Sequence, residues 1–424
     1  MSSAPSAPHA QDSFPPSILI LSTVWWPLST RLAVRLRNLG ASVSALVPPH
    51  HMMRAVRGLA GIHELHPFSI AQSVDRAIAA ASPALILPTD DTAVWLLHDL
   101  AQRRPEMLPL VERSLGRSRH FPLLRSRRAF LELAQSLAIP CPVPRVIRSA
   151  ADMQSLLEQD HYPTVLKYDG TSGGYGVIIA QNAAELRTGY RMLLRHRLPL
   201  RRLKRLCING DVTTLFRSST LPADEITQQV FVPGTPANGL FVADQGRILA
   251  HLQVQAVRTL TPTGASVVVD RIFHPAILTA AQKLAAHLEL SGFFGLDFIL
   301  HAETGDPWLL EINPRATQLC TIPLDPDISS PSGQAFATLA DAALSRVLLA
   351  PLSTASPALP VHPRFAFFPQ AHHIPANDPA LATAVVDRPE DEPELAAELL
   401  RPVWPERRPW LNLYNRLLRR IDRR

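Results

Sequence analysis

The chain has 424 residues, 46% of them apolar and 18% charged, and carries a formal net charge of +6. That length gives room for two to four domains with ample core, and the composition excludes a low-complexity or highly charged disordered chain. No uninterrupted apolar run reaches the roughly 18 residues of a transmembrane helix.

The first sixteen residues are rich in Ser, Ala and Pro and lack a basic segment ahead of Ile18–Leu21, so they read as a loose tail and not as a signal peptide. Cys141, Cys207 and Cys320 show neither a disulfide framework nor metal-ligand spacing, which fits a reducing cytoplasm. Lysine occurs only at 167, 204 and 283, so 39 of the 42 basic residues are arginine. Where arginine has replaced lysine so widely, a lysine that persists points to a position needing a compact ammonium, with chance survival as the alternative.

Residues 17–118 alternate strand and helix patterns. Ile18–Leu21 precedes a helix over Ser29–Leu39 closed by Gly40. Ser42–Val47 and Ala84–Leu87 are further strands, the last leading through Asp90 and Asp91 into a helix near Ala93–Ala101. This spacing predicts a parallel sheet covered on both faces. No G-x-G-x-x-G follows the first strand, so nothing supports a dinucleotide site. Asp90 and Asp91 lie at a strand's carboxyl end, where open α/β sheets bind ligands, although a helix N-cap is the commoner explanation for such a pair.

A basic turn, Arg125–Arg128, opens the next segment, followed by a helix over Phe130–Leu137 and a proline-punctuated stretch. Then two β-rich runs flank Gly170, Gly173, Gly174 and Gly176, with Lys167 on the entering strand. Successive glycines let backbone N–H groups face an anion, and Lys167 can reach the same anion; a plain flexible turn is the alternative. Residues 185–205 hold eight basic side chains on a predicted helix, but Tyr190 is the only interleaved aromatic. A solvated face suits them better than a nucleic-acid interface. Strands resume at Ile226–Val232, Gly239–Ala243 and Arg247–Arg258, and a helix at Pro275–Leu290.

The most informative stretch is 291–320. Phe294–Leu300 and Pro307–Asn313 alternate around Glu303-Thr304-Gly305, predicting a hairpin with a three-residue loop. In that register Ala302 pairs with Asp306, Leu300 with Trp308, Phe298 with Leu310, and Asp297 with Glu311. Leu296, Phe298, Leu300, Trp308, Leu310 and Ile312 then share an apolar face, and Asp297, Glu311 and Asn313 share the other. Opposed carboxylates repel across a strand pair, so a cation is expected between them. Two acids and an amide oxygen, with water and phosphate completing the shell, suit magnesium. A solvated outer face is the bland alternative. Arg315, just beyond, offers a guanidinium to a phosphate or oxyanion. Past Pro323 the pattern weakens: a helix over Ser332–Ala350, an apolar run at Phe365–Phe368, and a terminal helix, Trp410–Arg424, with one apolar and one arginine-rich face. Such a helix suits either docking on the protein's own body or an anionic membrane surface.

Taken together, the lysine and glycine hairpin at 167–177, the Gln229–Gly234 segment, and Gly295-Leu-Asp297 followed by Glu311-Ile-Asn313-Pro-Arg315 resemble the ATP-grasp superfamily, of the carbamoyl-phosphate synthase and biotin carboxylase type. The likeness covers residues 120–320. It implies an α/β and α+β fold: a parallel-sheet pre-ATP-grasp domain (17–118), then a two-lobed ATP-grasp fold with antiparallel sheets. The small lobe with the glycine-rich loop is 119–228, the large lobe with the metal site 229–345, and a C-terminal extension 346–424.

By the same resemblance Asp297, Glu311 and Asn313 bind magnesium, or manganese in its place, while Lys167 and Gly170–Gly176 hold the ATP phosphates. Gln229, Val230, Phe231 and Val232 form the adenine hinge, and Arg315 stands at the reaction centre. Arg127 occupies a usual lysine position, and Asn238 stands where an acid commonly holds the ribose. The implied activity is ATP-dependent ligation of a small-molecule carboxylate to an amine or other nucleophile. A phosphotransferase, or a non-catalytic nucleotide-binding module tethered to a partner or membrane through 405–424, is the alternative. No nucleic-acid partner is expected, and nothing in the sequence specifies the oligomeric state.

Overall fold

The computed structural model describes residues 17–38, 40–158, 161–168, 176–194, 225–261, 264–322 and 364–407. Gly170, Gly173 and Gly174, residues 195–205 of the basic 185–205 stretch, and the expected helices at 332–350 and 410–424 lie outside these residues. Among the described residues no helix is long and apolar enough to cross a membrane.

The first unit is a four-stranded parallel sheet of β1 (Ser17–Leu21), β2 (Ser42–Val47), β3 (Gly61–Glu64) and β4 (Leu85–Pro88), in the order β3-β2-β1-β4. Alternate residues of β1 enter different cores: Ile18 and Ile20 on one face, Leu19 and Leu21 on the other. Burial on both faces explains why these strands read as continuous apolar runs. Sequence reading missed β3 and the helix Ile70–Ala81, since Gly61-Ile-His-Glu64 is a half-exposed edge with no apolar run.

The small lobe is an antiparallel sheet in the order β5-β8-β6-β7: β5 (Arg145–Val146), β6 (Thr164–Tyr168), β7 (Val177–Ala180) and β8 (Ile226–Val230). The large lobe is a seven-stranded sheet ordered β13-β12-β9-β10-β11-β14-β15. It comprises β9 (Gly234–Asp244), β10 (Arg247–Thr259), β11 (Ser266–Ile272), β12 (Gly292–His301), β13 (Pro307–Asn313), β14 (Arg364–Ala366) and β15 (Val385–Val386). Residues beyond 346, set apart in sequence as an extension, thus supply two strands to this sheet.

On one face of the large sheet Phe241, Phe294 and Phe298 pack beneath the helices Pro275–Leu288 and Arg127–Ser136. On the other, Leu240, Val242 and Val254 join Ile18, Ile20 and Leu32 in a single core. The first unit is therefore fused to the large lobe by shared apolar burial, the main favourable term in folding. Close backbone approach reinforces the join. Gly292 has φ +74°, and a Cβ there would sit 2.1 Å from the Ser114 carbonyl oxygen, so only glycine fits.

The hairpin carries a correction. Asp297 faces Glu311 as expected, but beyond it Phe298 pairs with Leu309, Ile299 with Trp308 and Leu300 with Pro307. The loop closes at His301 and Asp306, one residue longer than expected because it takes in Ala302, and a bulge at Leu310 absorbs the difference. Leu309, not Trp308 or Leu310, therefore enters the core, while Leu310 turns to the cleft described below.

Phe294, on the strand that bears Asp297, is 1% exposed and stacks on Phe241 of the neighbouring strand at 5.2 Å between centroids. Phe294→Ala is expected to lower unfolding free energy by about 3–5 kcal/mol, read as a reduced urea midpoint. A loss below about 1 kcal/mol would contradict this packing.

Candidate active site

The site is built on three adjacent strands. Asn238 on β9 stands opposite Asp297 on β12, and Asp297 stands opposite Glu311 on β13. The two acids meet different neighbours. Asp297 receives neutral donors only: Asn238 Nδ2 to Oδ1 at 2.6 Å and Asn313 Nδ2 to Oδ2 at 3.1 Å. Glu311 receives a cation, Arg127 Nη2 to Oε2 at 2.9 Å, with Lys167 also acting on it.

Their proton affinities diverge accordingly. Withdrawal from water, then the charge of Glu311, pushes Asp297 up to about 7 despite the two amide donors. For Glu311 the same withdrawal acts upward, but Arg127 and Lys167 outweigh it and hold the carboxyl below its ordinary range. One member of the pair is thus ionised and the other poised near neutrality, the usual outcome when two carboxyls share a site.

Arg315, 5% exposed, follows β13. Its Nε donates to Asp91 at 2.7 Å, its Nη2 to Asn313 Oδ1 at 3.0 Å, and its guanidinium lies 5.5 Å from the Trp26 ring centroid. A backbone bond from Ala316 N to the Pro88 carbonyl, 3.2 Å, brings this turn to the end of β4. The Asp90-Asp91 pair therefore divides its labour. Asp90 is the helix cap, accepting from Ala93 N at 2.9 Å and from Thr23 N at 2.7 Å. Asp91, the next residue, faces the cleft.

All of these side chains border one cleft of about 560 Å³. Arg127, Lys167, Gln229, Val230, Phe231, Val232, Asn238, Asp297, Glu311, Asn313 and Arg315 all line it. Its roof is the small lobe, with Val165 and Ile179 as apolar walls; its floor is the large sheet. Gln229 contributes backbone to the wall, because its side-chain amide, 1% exposed with its residue, donates to the Pro142 carbonyl at 3.1 Å. Gly176, at the end of the glycine-rich turn, has φ +81°. Among the described residues there is no cluster of three or more His, Cys, Asp or Glu, so a divalent ion here would take amide, water or ligand oxygens besides the two carboxylates.

A family model described as an ATP-grasp domain matches residues 205–318. The carbamoyl phosphate synthase large chain of Gemmatimonas aurantiaca is 23% identical over 254 residues, 58% of this chain and 21% of that protein. The chain thus spans about a fifth of the length of this curated relative. Among solved structures, N5-carboxyaminoimidazole synthase from Aspergillus clavatus, with ADP and 5-aminoimidazole ribonucleotide, superposes at a TM-score of 0.53 and 14% identity over 81% of this chain and 80% of its own. By the match over residues 205–318, this chain is similar to the ATP-grasp proteins. The biotin carboxylase domain of Hydrogenobacter thermophilus 2-oxoglutarate carboxylase, with magnesium ADP, ADP and bicarbonate, matches at 0.52 and 14% identity over 70% of this chain and 64% of its own. At these identities the likeness to the solved structures is one of fold.

Relative to the residues expected of an ATP-grasp protein, sequence reading left out Trp26, Trp95 and Arg125 as cleft residues. Arg125 was legible as part of a basic turn, and Asp91 as half of an acidic pair. Trp26 and Trp95 carried no local signal, because only the packing of the first unit on the large lobe brings them to the cleft.

The raised Asp297 has a consequence for stability. In the unfolded chain an aspartate ionises near pH 4, whereas in the fold it holds its proton to about 7. Between those values the unfolded state releases the proton first, so rising pH favours unfolding, and the penalty is complete above about 7. In EDTA, the melting temperature of Asp297→Asn relative to wild type is expected to rise from pH 5 to pH 8. Magnesium should stabilise wild type more at pH 8 than at pH 5. A variant-to-wild-type gap independent of pH would remove this assignment.

Proposed function

We propose that the protein is an ATP- and magnesium-dependent ligase that activates a small-molecule carboxylate as an acyl phosphate for attack by an amine or another nucleophile. The observation that carries this reading is the convergence, in one cleft, of the opposed Asp297 and Glu311 with Lys167, Arg127 and Arg315. The ATP-grasp fold supports it, as do the synthase and the biotin carboxylase domain among its structural relatives, both seen with ADP.

The donor set fits a divalent cation. Burial, and then the facing Glu311, keep Asp297 protonated to about 7, and a hard cation between the two would offset both. Asp297 and Glu311 would hold magnesium, with Asn313 able to add its amide oxygen by turning from Arg315; the ion supplies charge neutralisation at the nucleotide phosphates. Everything else falls to the chain. Lys167 and Arg127 add two positive charges beside the acids, where the phosphate oxygens of ATP must approach an anionic acceptor.

The adenine fits between Val165, Ile179 and the backbone of Val230–Val232, with Gln229 locked behind by Pro142. The acceptor carboxylate oxygen attacks the γ-phosphorus, the bond to the β-phosphate oxygen breaks, and ADP leaves. The nucleophile then attacks the acyl carbon, inorganic phosphate departs, and the amine loses a proton. Arg315, fixed by Asp91 and Asn313, stabilises negative charge that grows on the acyl and phosphoryl oxygens. The cleft walls limit water that would otherwise hydrolyse the acyl phosphate.

Magnesium-dependent ADP release in the presence of pooled carboxylates and amines tests the reading. Glu311→Ala should reduce the rate at least ~100-fold, and Arg315→Ala by about 100–1,000-fold, the scale for losing a key electrostatic group. Wild-type protein that binds ATP tightly but releases no ADP with any pool would sink the proposal.

A further inference from the structure

Among the described residues three arginines line the cleft, and two of them are committed. Arg127 bonds Glu311 at 2.9 Å, and Arg315 bonds Asp91 at 2.7 Å. Arg125 differs. Its Nε donates to His98 Nδ1 at 3.0 Å and its Nη2 to the Trp95 carbonyl at 3.4 Å, both neutral acceptors. Among the described residues Arg125 forms no ion pair. The carboxylate that acts on it at longer range, Asp99, is bonded to Arg103 at 2.7 Å.

His98 serves this arrangement at a cost to itself. Burial, then the charge of Arg125, holds the imidazole well below its ordinary range, and its ring stacks on Phe121 at 3.8 Å. Because Nδ1 accepts from Arg125, the ring proton must sit on Nε2, which is buried without a partner. An unsatisfied buried N–H is destabilising. The fold tolerates it and keeps the guanidinium aimed. A guanidinium partly withdrawn from water, with only neutral partners, lacks the anion that would compensate it. Trp26, Trp95, Val94 and Leu124 add flat, apolar surface to the lining of the same cleft.

We propose that Arg125, in a cleft also lined by Trp26 and Trp95, is the subsite for an anionic group of the acceptor, which makes the acceptor an amphipathic acid: a carboxylate or phosphate monoester on an aromatic or otherwise flat apolar body. The assignment rests on the ligase reading, since it gives that reaction its substrate class. Arg125 acts as a specificity-determining residue and His98 as the residue that positions it.

Binding to the full-length chain, followed by tryptophan fluorescence and by calorimetry, tests this without turnover. The probes are 3-phenylpropionate, its neutral amide, propionate and phenyl phosphate. At least one aromatic anion should bind ~10-fold or more tightly than both the amide and propionate, as expected for a charge-assisted bidentate contact. The tighter of the two aromatic anions identifies the source of the charge. Arg125→Gln should bring that anion down to the amide's affinity. Equal binding of acid, phosphate and amide by wild type overturns the proposal, and that comparison needs no variant. So does an anion preference that survives Arg125→Gln. Anion preference with no ADP release in any pool counts against the ligase reading and leaves the subsite standing. ADP release with no preference counts against the subsite alone.

Discussion

The structure turns on keeping two like charges opposite each other in a β-sheet. Asp297 and Glu311 face one another across β12 and β13, where such a pair destabilises the ladder by itself. The surroundings divide the burden unequally. Cationic Arg127 and Lys167 fall on the Glu311 side, and amide donors Asn238 and Asn313 on the Asp297 side. The result is a site holding one negative charge firmly and a second conditionally. Such a site has little affinity for positive charge when Asp297 is protonated and much more once it ionises. A simple cluster of exposed acids would lack this dependence, since each carboxylate would remain hydrated and ionised on its own.

The rest of the large lobe reads as the means of holding that register. The loop at Ala302–Gly305 and the bulge at Leu310 are each irregular alone, but they cancel: one residue gained in the turn is absorbed before Glu311. Without the bulge, the pairing that begins at His301 and Asp306 would set Asp297 against Leu310. A one-residue slip moves side chains to the opposite face of a strand. The core reinforces the choice, because Leu296, Phe298 and Leu309 fill the space under the helix Pro275–Leu288 only in the observed register.

Much of this was legible in the sequence, for reasons tied to particular residues. The Asp297–Glu311 pairing followed from strict alternation on both strands close to the acids. Its distal part failed because alternation cannot count loop residues, and Glu303-Thr304-Gly305 suits either a three- or a four-residue turn. Parallel strands β1, β2 and β4 were visible as apolar runs, whereas β3 was not, since an edge strand of Gly, Ile, His and Glu has no periodic signature. Lys167 stood out because the chain has only three lysines. Its position on β6, 7% exposed and facing the same cleft as Arg127, is tertiary information. The cleft's tryptophans come from helices or turns remote in sequence from the acids, so no local pattern could join them.

That remoteness bears on how the molecule works. Arg315 belongs to the large lobe, yet its strongest partner, Asp91, belongs to the first unit, and the Ala316–Pro88 backbone bond ties the two segments. The arginine at the centre of the cleft is therefore oriented by both units at once, and its 5% exposure means it cannot reorient into water when that contact is lost. The shared core of Ile18, Ile20, Leu240 and Val242 makes separation of the units expensive, since it would expose apolar surface on both. The first unit is thus part of the site's architecture, supplying Asp91 to aim one arginine, His98 to aim another, and the two indoles that line the cleft. A fragment beginning at the small lobe would keep the acid pair but lose the groups that orient Arg315, and with them the geometry on which charge stabilisation in the cleft depends.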